Sequence, residues 1–371
     1  MSFHERYLEY RDMDLAGTFD GFSSADVSRS INRGRLDMMN FAALLSGAAA
    51  LHIEDMAGKA HEITLRHFGR AMQLYTPIYL SDHCDNQCAY CGFSAKNNLE
   101  RRTLSMDDIG REAGFIASKG FKHILILTGE SRKEAPVAYI KEGVKLLRKY
   151  FDSISIEIYA LSQSEYSGLA AEGADGLTIY QEVYDESIYS AMHPSGPKRD
   201  YIFRLGAPER GASSGMRSVN IGALLGLNDW RKEIFILGMH AKYLQDRYPD
   251  VEIGVSVPRL RPITKDYHNP FEVSDRDMVQ IIVSLRIFLP RLGISLSTRE
   301  GRALRENLIP LGITRMSAES TTRVGGHTIN AGNNNASPQF EIKDHSGLEE
   351  VIQMLERKGY QAVLKDWVQI F

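Results

Sequence analysis

Apolar residues along this chain fall into two regimes. Up to about residue 71 they recur at helical spacing. Ser24 is placed to cap a turn into the following segment, and the stretch 37–67 is rich in Ala, Leu and Met on a helical period. From about Met72 short β-type runs take over, at 74–79, 123–127, 153–159, 176–180, 218–224, 252–257, 294–297 and 313–317. Amphipathic helical stretches such as 107–119, 137–150, 230–248 and 275–292 separate them. Strands alternating with helices imply parallel pairing through helical crossovers, and eight such units predict an α/β fold, a (β/α)8 TIM-type barrel. A six-stranded partial barrel with a separate tail is the runner-up, because the last two strands are short. The expected division is a helical N-terminal appendage over 1–71, a barrel over 72–320, and a C-terminal loop and helix over 321–371. Within the last, the Gly- and Asn-rich run 325–338 reads as a surface loop or a lid, before a helix at 347–358 and a closing segment at 363–367.

A barrel of this kind collects its chemistry just past the C-terminal ends of its strands. Polar and reactive residues do gather there. A cysteine loop follows the first strand, Thr128-Gly129-Glu130 ends the second, and Glu157 lies near the end of the third. Gln181-Glu182 follow the fourth, Pro258-Arg259-Leu-Arg261 the sixth, Arg299-Glu300 the seventh, and Ser317-Ala-Glu319-Ser320 the eighth.

Composition changes this picture little. With 371 residues and a net charge of −3, the chain has no electrostatic case for nucleic-acid or membrane binding. Its opening residues lack a signal peptide's apolar core and no run approaches a membrane span, so the expected location is the cytoplasm. Clustered, unpaired thiols fit a reducing compartment.

The three cysteines change it a great deal. They form one motif, Cys84-Asp-Asn-Gln-Cys88-Ala-Tyr90-Cys91, and the chain has no others. An odd, clustered set argues against a disulfide framework. A structural zinc site takes four closed ligands, which here needs His83 beside Cys84. A four-iron cluster normally takes four thiolates, so three leave one iron open to a small molecule. Spacing alone leaves both the open cluster and the zinc site as readings.

The cysteine motif, with the aromatic Tyr90 before its third cysteine, resembles the signature of the radical S-adenosylmethionine (SAM) enzymes. That resemblance implies a [4Fe-4S] cluster on Cys84, Cys88 and Cys91, with SAM on the open iron. It also implies roles for other positions. Thr128-Gly129-Glu130 resembles the family's Gly-Gly-Glu motif for the methionyl ammonium, with Glu157 a further candidate nearby. Glu182 matches a ribose-binding acid, Arg204 matches the arginine for the methionyl carboxylate, and 221–226 resembles a strand flanking the adenine. Each position taken singly also reads as a salt bridge or turn at the barrel rim.

Further segments sharpen the resemblance to a subfamily. These are 79–84, Cys88-Ala-Tyr-Cys91-Gly-Phe-Ser94, 180–184, 221–227, Val257-Pro-Arg-Leu-Arg-Pro262, Leu296-Ser-Thr-Arg299-Glu300 and Lys365-Asp-Trp367. Together they resemble the tyrosine lyases that supply the thiamine thiazole ring, from about residue 20 to 367. This implies hydrogen abstraction from the amino group of L-tyrosine and cleavage of its Cα–Cβ bond to 2-iminoacetate and p-cresol. It also implies an external one-electron reductant and a thiazole synthase as partner. Arg299 matches the arginine that anchors the amino-acid carboxylate. Tyr79 and Ser317 match residues near the substrate in the related tryptophan lyase, which remains an alternative. The tyrosine lyase of hydrogenase maturation carries further cysteines, and none follows Cys91 here, so that chemistry is not expected. Rival classes are a SAM-binding sensor and a zinc scaffold, neither of which needs an anchor such as Arg299.

Overall fold

The computed structural model describes residues 2–261, 271–332 and 337–365. Pro262, Asp366, Trp367 and the 333–336 part of the Gly- and Asn-rich run lie outside these residues.

Eight parallel strands close into a barrel. They are β1 (Ala71–Ser81), β2 (His123–Thr128), β3 (Ser153–Glu157), β4 (Gly176–Glu182), β5 (Ser218–Ala223), β6 (Glu252–Ser256), β7 (Gly293–Leu296) and β8 (Arg315–Ser317). Closure runs through β1, whose residues 73–75 pair with β8 while 76–81 pair with β2. The strands were readable because helices cover the outside and side chains fill the inside: all six residues of β2 are buried. A ninth short strand, β9 (Gln361–Val363), runs parallel to residues 71–73 at the foot of β1.

Local chemistry sets where the crossover helices begin. Ser105, Ser162 and Ser274 each cap a helix and are capped in return by Asp108, Glu165 and Asp277, so two otherwise orphaned N–H groups are satisfied at each start.

The N-terminal segment differs in detail from the sequence reading. Ser23, not Ser24, caps the helix Ser24–Asn32. The stretch 37–67 is not continuous: helix Met38–Leu45 stops where Ser46 turns to extended backbone, a 3-10 turn Ala48–His52 follows, and helix Ile53–Phe68 resumes. This segment braces two barrel helices, Trp230–Arg247 and Asp275–Phe288. Phe41 stacks on Phe288 with centroids 4.2 Å apart, and Phe3 stacks on His240 at 3.8 Å. The Gln280 amide donates to the carbonyls of Leu44 and Ser46, both at 3.0 Å, and so takes up the free end of the broken helix. Among the described residues no helix is long and apolar enough to cross a membrane.

Candidate active site

The loop after β1 carries the cysteines and is tied down from three directions. Its own tail supplies Arg101, whose guanidinium donates to the carbonyls of Asp82 (2.6 Å), Phe93 (2.9 Å) and Ser94 (2.7 Å). The loop after β4 accepts Gln87 N–H at Ser195 O (3.0 Å) and Ala89 N–H at Met192 O (3.1 Å). The C-terminal segment accepts Gly92 N–H at Gln339 O (2.9 Å). Tyr90 is fixed by His193. Burial holds this imidazole neutral, its pKa lowered to about 3, and Nδ1 lies 2.7 Å from Tyr189 O. Nδ1 must then carry the proton, leaving Nε2 to accept from the Tyr90 hydroxyl at 2.8 Å.

The three cysteines face a chamber of about 790 Å3, counted out to its open mouth. Burial pushes their thiols up, Cys91 to about 11 and Cys88 to about 12. Such thiols ionise only against a strong positive charge, which bound iron supplies. Among the described residues no three His, Cys, Asp or Glu side chains gather closely enough to hold a single metal ion.

Opposite the cysteines stands a chain of charges. Arg204 donates to Glu130 Oε1 (2.8 Å) and to Tyr180 O (2.7 Å), and lies 4.0 Å from Glu182 Oε1. Lys198 donates to Glu182 Oε1 (2.7 Å), and Asn86 donates to Glu130 Oε2 (2.9 Å). Burial acts to raise both glutamates, but Arg204 and Lys198 outweigh it and leave both lowered, hence ionised. Glu182 reaches the chamber through a bulge: the β4–β5 register shifts between Tyr180 and Glu182, and Glu182 sits at φ 73°. A non-glycine residue held there is strained, and the bulge turns its side chain inward.

The donor set suits the methionyl end of SAM. Thr128 Oγ1 is buried with no hydrogen-bond partner among the described residues, and it lines the chamber. At Gly129 a Cβ would lie 2.2 Å from His83 O, so only glycine permits this close approach of the β2 end to the cysteine loop.

A second chamber, about 670 Å3 to its mouth, is lined by Tyr75, Tyr79, Ser256, Ser317 and their neighbours. The two chambers share Leu127, Glu157, Tyr180, Arg299 and Phe340 as common wall. Arg299 lies 3.4 Å from the centroid of the Phe340 ring and, among the described residues, makes no ion pair. Tyr79 donates to Gln339 Oε1 (2.7 Å), while Ser317 Oγ accepts from Thr298 N–H (3.1 Å). Glu300, by contrast, is committed to the fold. It is buried against Arg259 and Arg261, which tie the loops after β6 and β7 together.

The structure thus gathers Cys84, Cys88, Cys91, Tyr90, Thr128, Gly129, Glu130, Glu157, Glu182 and Arg204 around the first chamber, Tyr79 and Ser317 around the second, and Arg299 between them. Sequence reasoning missed Lys198, Asn86, Gln339 and Phe340. Lys198 follows the turn-forming Pro194-Ser-Gly-Pro197, a punctuated loop that was visible. Phe340, an aromatic soon after the Gly- and Asn-rich run, carried no comparable signal.

Comparison with known proteins agrees with this geometry. Residues 78–237 match the Radical SAM superfamily, and 256–361 match the Biotin and Thiamin Synthesis associated domain. The chain is 37% identical to 2-iminoacetate synthase of Escherichia coli K12, over 99% of this chain and 97% of that one. It is 38% identical to 2-iminoacetate synthase of Salmonella typhimurium LT2, over 98% and 95%. The crystal structure of HydG, a maturase of the [FeFe]-hydrogenase, superimposes with a TM-score of 0.88 at 29% identity, covering 95% of this chain and 80% of that one. The chain belongs to the 2-iminoacetate synthase family, radical SAM lyases of thiamine biosynthesis that work with a [4Fe-4S] cluster and SAM.

Proposed function

We propose that the chain cleaves the Cα–Cβ bond of L-tyrosine to give 2-iminoacetate and p-cresol. The observation that carries this reading is the second chamber, which shares a wall with the first and has in that wall an arginine, Arg299, without an ion partner among the described residues. Bound cluster and SAM supply the one-electron chemistry that removes a hydrogen atom from the substrate's amino group. Cys84, Cys88 and Cys91 would hold the cluster. Thr128 and Glu130 would meet the methionyl ammonium, Arg204 and Lys198 its carboxylate, and Glu182 the ribose through Oε2, which has no hydrogen bond among the described residues.

Arg299 would hold the substrate carboxylate. Its guanidinium face is taken by Phe340, which leaves the edge donors for a two-pronged contact. The side chain of the amino acid then points away from the cofactor, into the chamber of Tyr75, Ser256 and Ser317, whose hydroxyls suit a phenol. An external one-electron donor serves the cluster. A thiazole synthase is the partner we propose for the hydrolysis-prone imine.

Anaerobic turnover of cluster-loaded protein with SAM and reductant, offered tyrosine or tryptophan, tests the reading. The expected result is 5′-deoxyadenosine and p-cresol with tyrosine. An indole product would assign the chain to the tryptophan branch, and SAM left intact by fully loaded protein would end the lyase reading for this chain.

A further inference from the structure

Glu157 is the one acidic side chain in the wall common to the two chambers, and Arg299 is the one basic side chain there. Among the described residues its carboxylate forms no hydrogen bond and no ion pair. The other two glutamates of the first chamber differ, since each is held by a cation. SAM brings one zwitterion, and the set Thr128, Glu130, Arg204 and Lys198 already complements it. A second zwitterion seat remains, an acid and a guanidinium facing the junction.

We propose that Glu157 is the base that takes a proton from the ammonium group of the substrate while Arg299 holds its carboxylate. This rests on reading the substrate as an aromatic α-amino acid. The step balances within the site. An N–H bond breaks, its electron pair stays on nitrogen, a carboxyl O–H forms, and the total charge is unchanged. A neutral amine is what hydrogen abstraction from nitrogen requires.

The surroundings poise the acid for this exchange. Burial and the neighbouring Glu182 raise Glu157 to about 7, against the opposing pull of Arg299, Lys198 and Arg204. Tyr75, Tyr79 and Tyr180 also face it, and burial holds all three phenols protonated near neutrality. The α-amino group of a free amino acid titrates at about 9, about two units above this acid, and burial of the ammonium with its carboxylate neutralised by Arg299 lowers it toward Glu157.

The test compares wild type, E157Q and E157D in cluster-loaded enzyme, following p-cresol from L-tyrosine against pH. Wild-type kcat is expected to fall on the acid side of neutrality. E157Q is expected to lose about 100-fold in kcat and to lose that acid limb, and E157D to restore the limb at an intermediate rate. A second readout needs no turnover: binding of L-tyrosine and of 3-(4-hydroxyphenyl)propanoate, which lacks the amine, with SAM present and reductant withheld. E157Q is expected to narrow the affinity gap between the two ligands about tenfold. Wild-type rate and an unchanged acid limb in E157Q would overturn the proposal. So would an unchanged gap in both variants, which covers a Gln variant that folds poorly. No p-cresol from the wild type would overturn the tyrosine reading and this proposal together, so the two failures are distinct.

Discussion

The cofactor chamber and the junction beside it treat buried glutamates in opposite ways. Glu130 and Glu182 stand in a continuous ladder with Asn86, Arg204 and Lys198, each cation within reach of an acid. Glu157, in the same cavity, has a cationic neighbourhood but no bonded partner among the described residues, and it is raised to about 7 where the other two are lowered. The difference lies in bonding rather than depth. Charges that saturate one another form a fixed mould for a ligand of constant charge. A charge left unsaturated can change its protonation state as the reaction demands.

Removing the shared cation should break the first regime most severely. Arg204→Met leaves Glu130 without its ion partner in a buried site. It should cost about 3–5 kcal/mol in denaturant unfolding of the cluster-free chain and abolish SAM binding. A loss below about 1 kcal/mol would show that the ladder is not a mould at all. Arg299→Gln strikes the second regime, where among the described residues there is no ion pair to break. Tyrosine kcat/KM should fall about 100-fold, about 2.7 kcal/mol, while SAM affinity holds and stability shifts by less than about 0.5 kcal/mol. A melting curve as damaged as that of Arg204→Met would erase the distinction.

The smallest effect is a pH-dependent gain. The Glu157 carboxyl titrates near 7 in the folded chain against an ordinary 4.5, so the folded state keeps a proton that the unfolded chain gives up between those values. Its contribution to stability is therefore present at low pH and lost as pH climbs through 7, the reverse of Glu130 and Glu182, whose contribution is lost as pH falls. E157Q should be more stable than wild type by about 1–2 kcal/mol at pH 8 and equal to it near pH 4.5, in urea titrations of the cluster-free chain. Equal stability at both values would mean that Glu157 is as well satisfied as its neighbours.

The barrel was legible because burial on both faces writes β2 and its fellows as short apolar runs, and serine capping boxes mark the helix starts between them. The cysteines, Glu130, Glu182 and Arg299 were legible as candidates because each lies near a strand end or carries a recognisable motif, and Arg204, inside the helix Tyr201–Leu205, only through the family resemblance. Lys198 and Asn86 were not. Their place depends on a loop after β4 folding back onto the loop after β1, where Lys198 N–H donates to Asn86 Oδ1 at 2.8 Å, and no periodicity encodes such a meeting. The break at Ser46 was hidden for a similar reason: helical spacing continues across it, and only the docking of Gln280 and Ser284 onto Leu44 explains why the chain turns there.

The pairing of β1 with β8 and β9 also bears on how this chain is made. β1 leaves the ribosome well before two of its partners, since its foot is joined by Gln361–Val363 and its flank by Arg315–Ser317, both far downstream in sequence. Until those segments are made that strand keeps an unpaired edge, and the cysteine loop that follows it lacks the Gln339 carbonyl that later pins Gly92. The last contacts to become available are thus the ones that seal the foot of the barrel and, at its other end, pin the cysteine loop, and nascent chains are most exposed to misassociation along this edge.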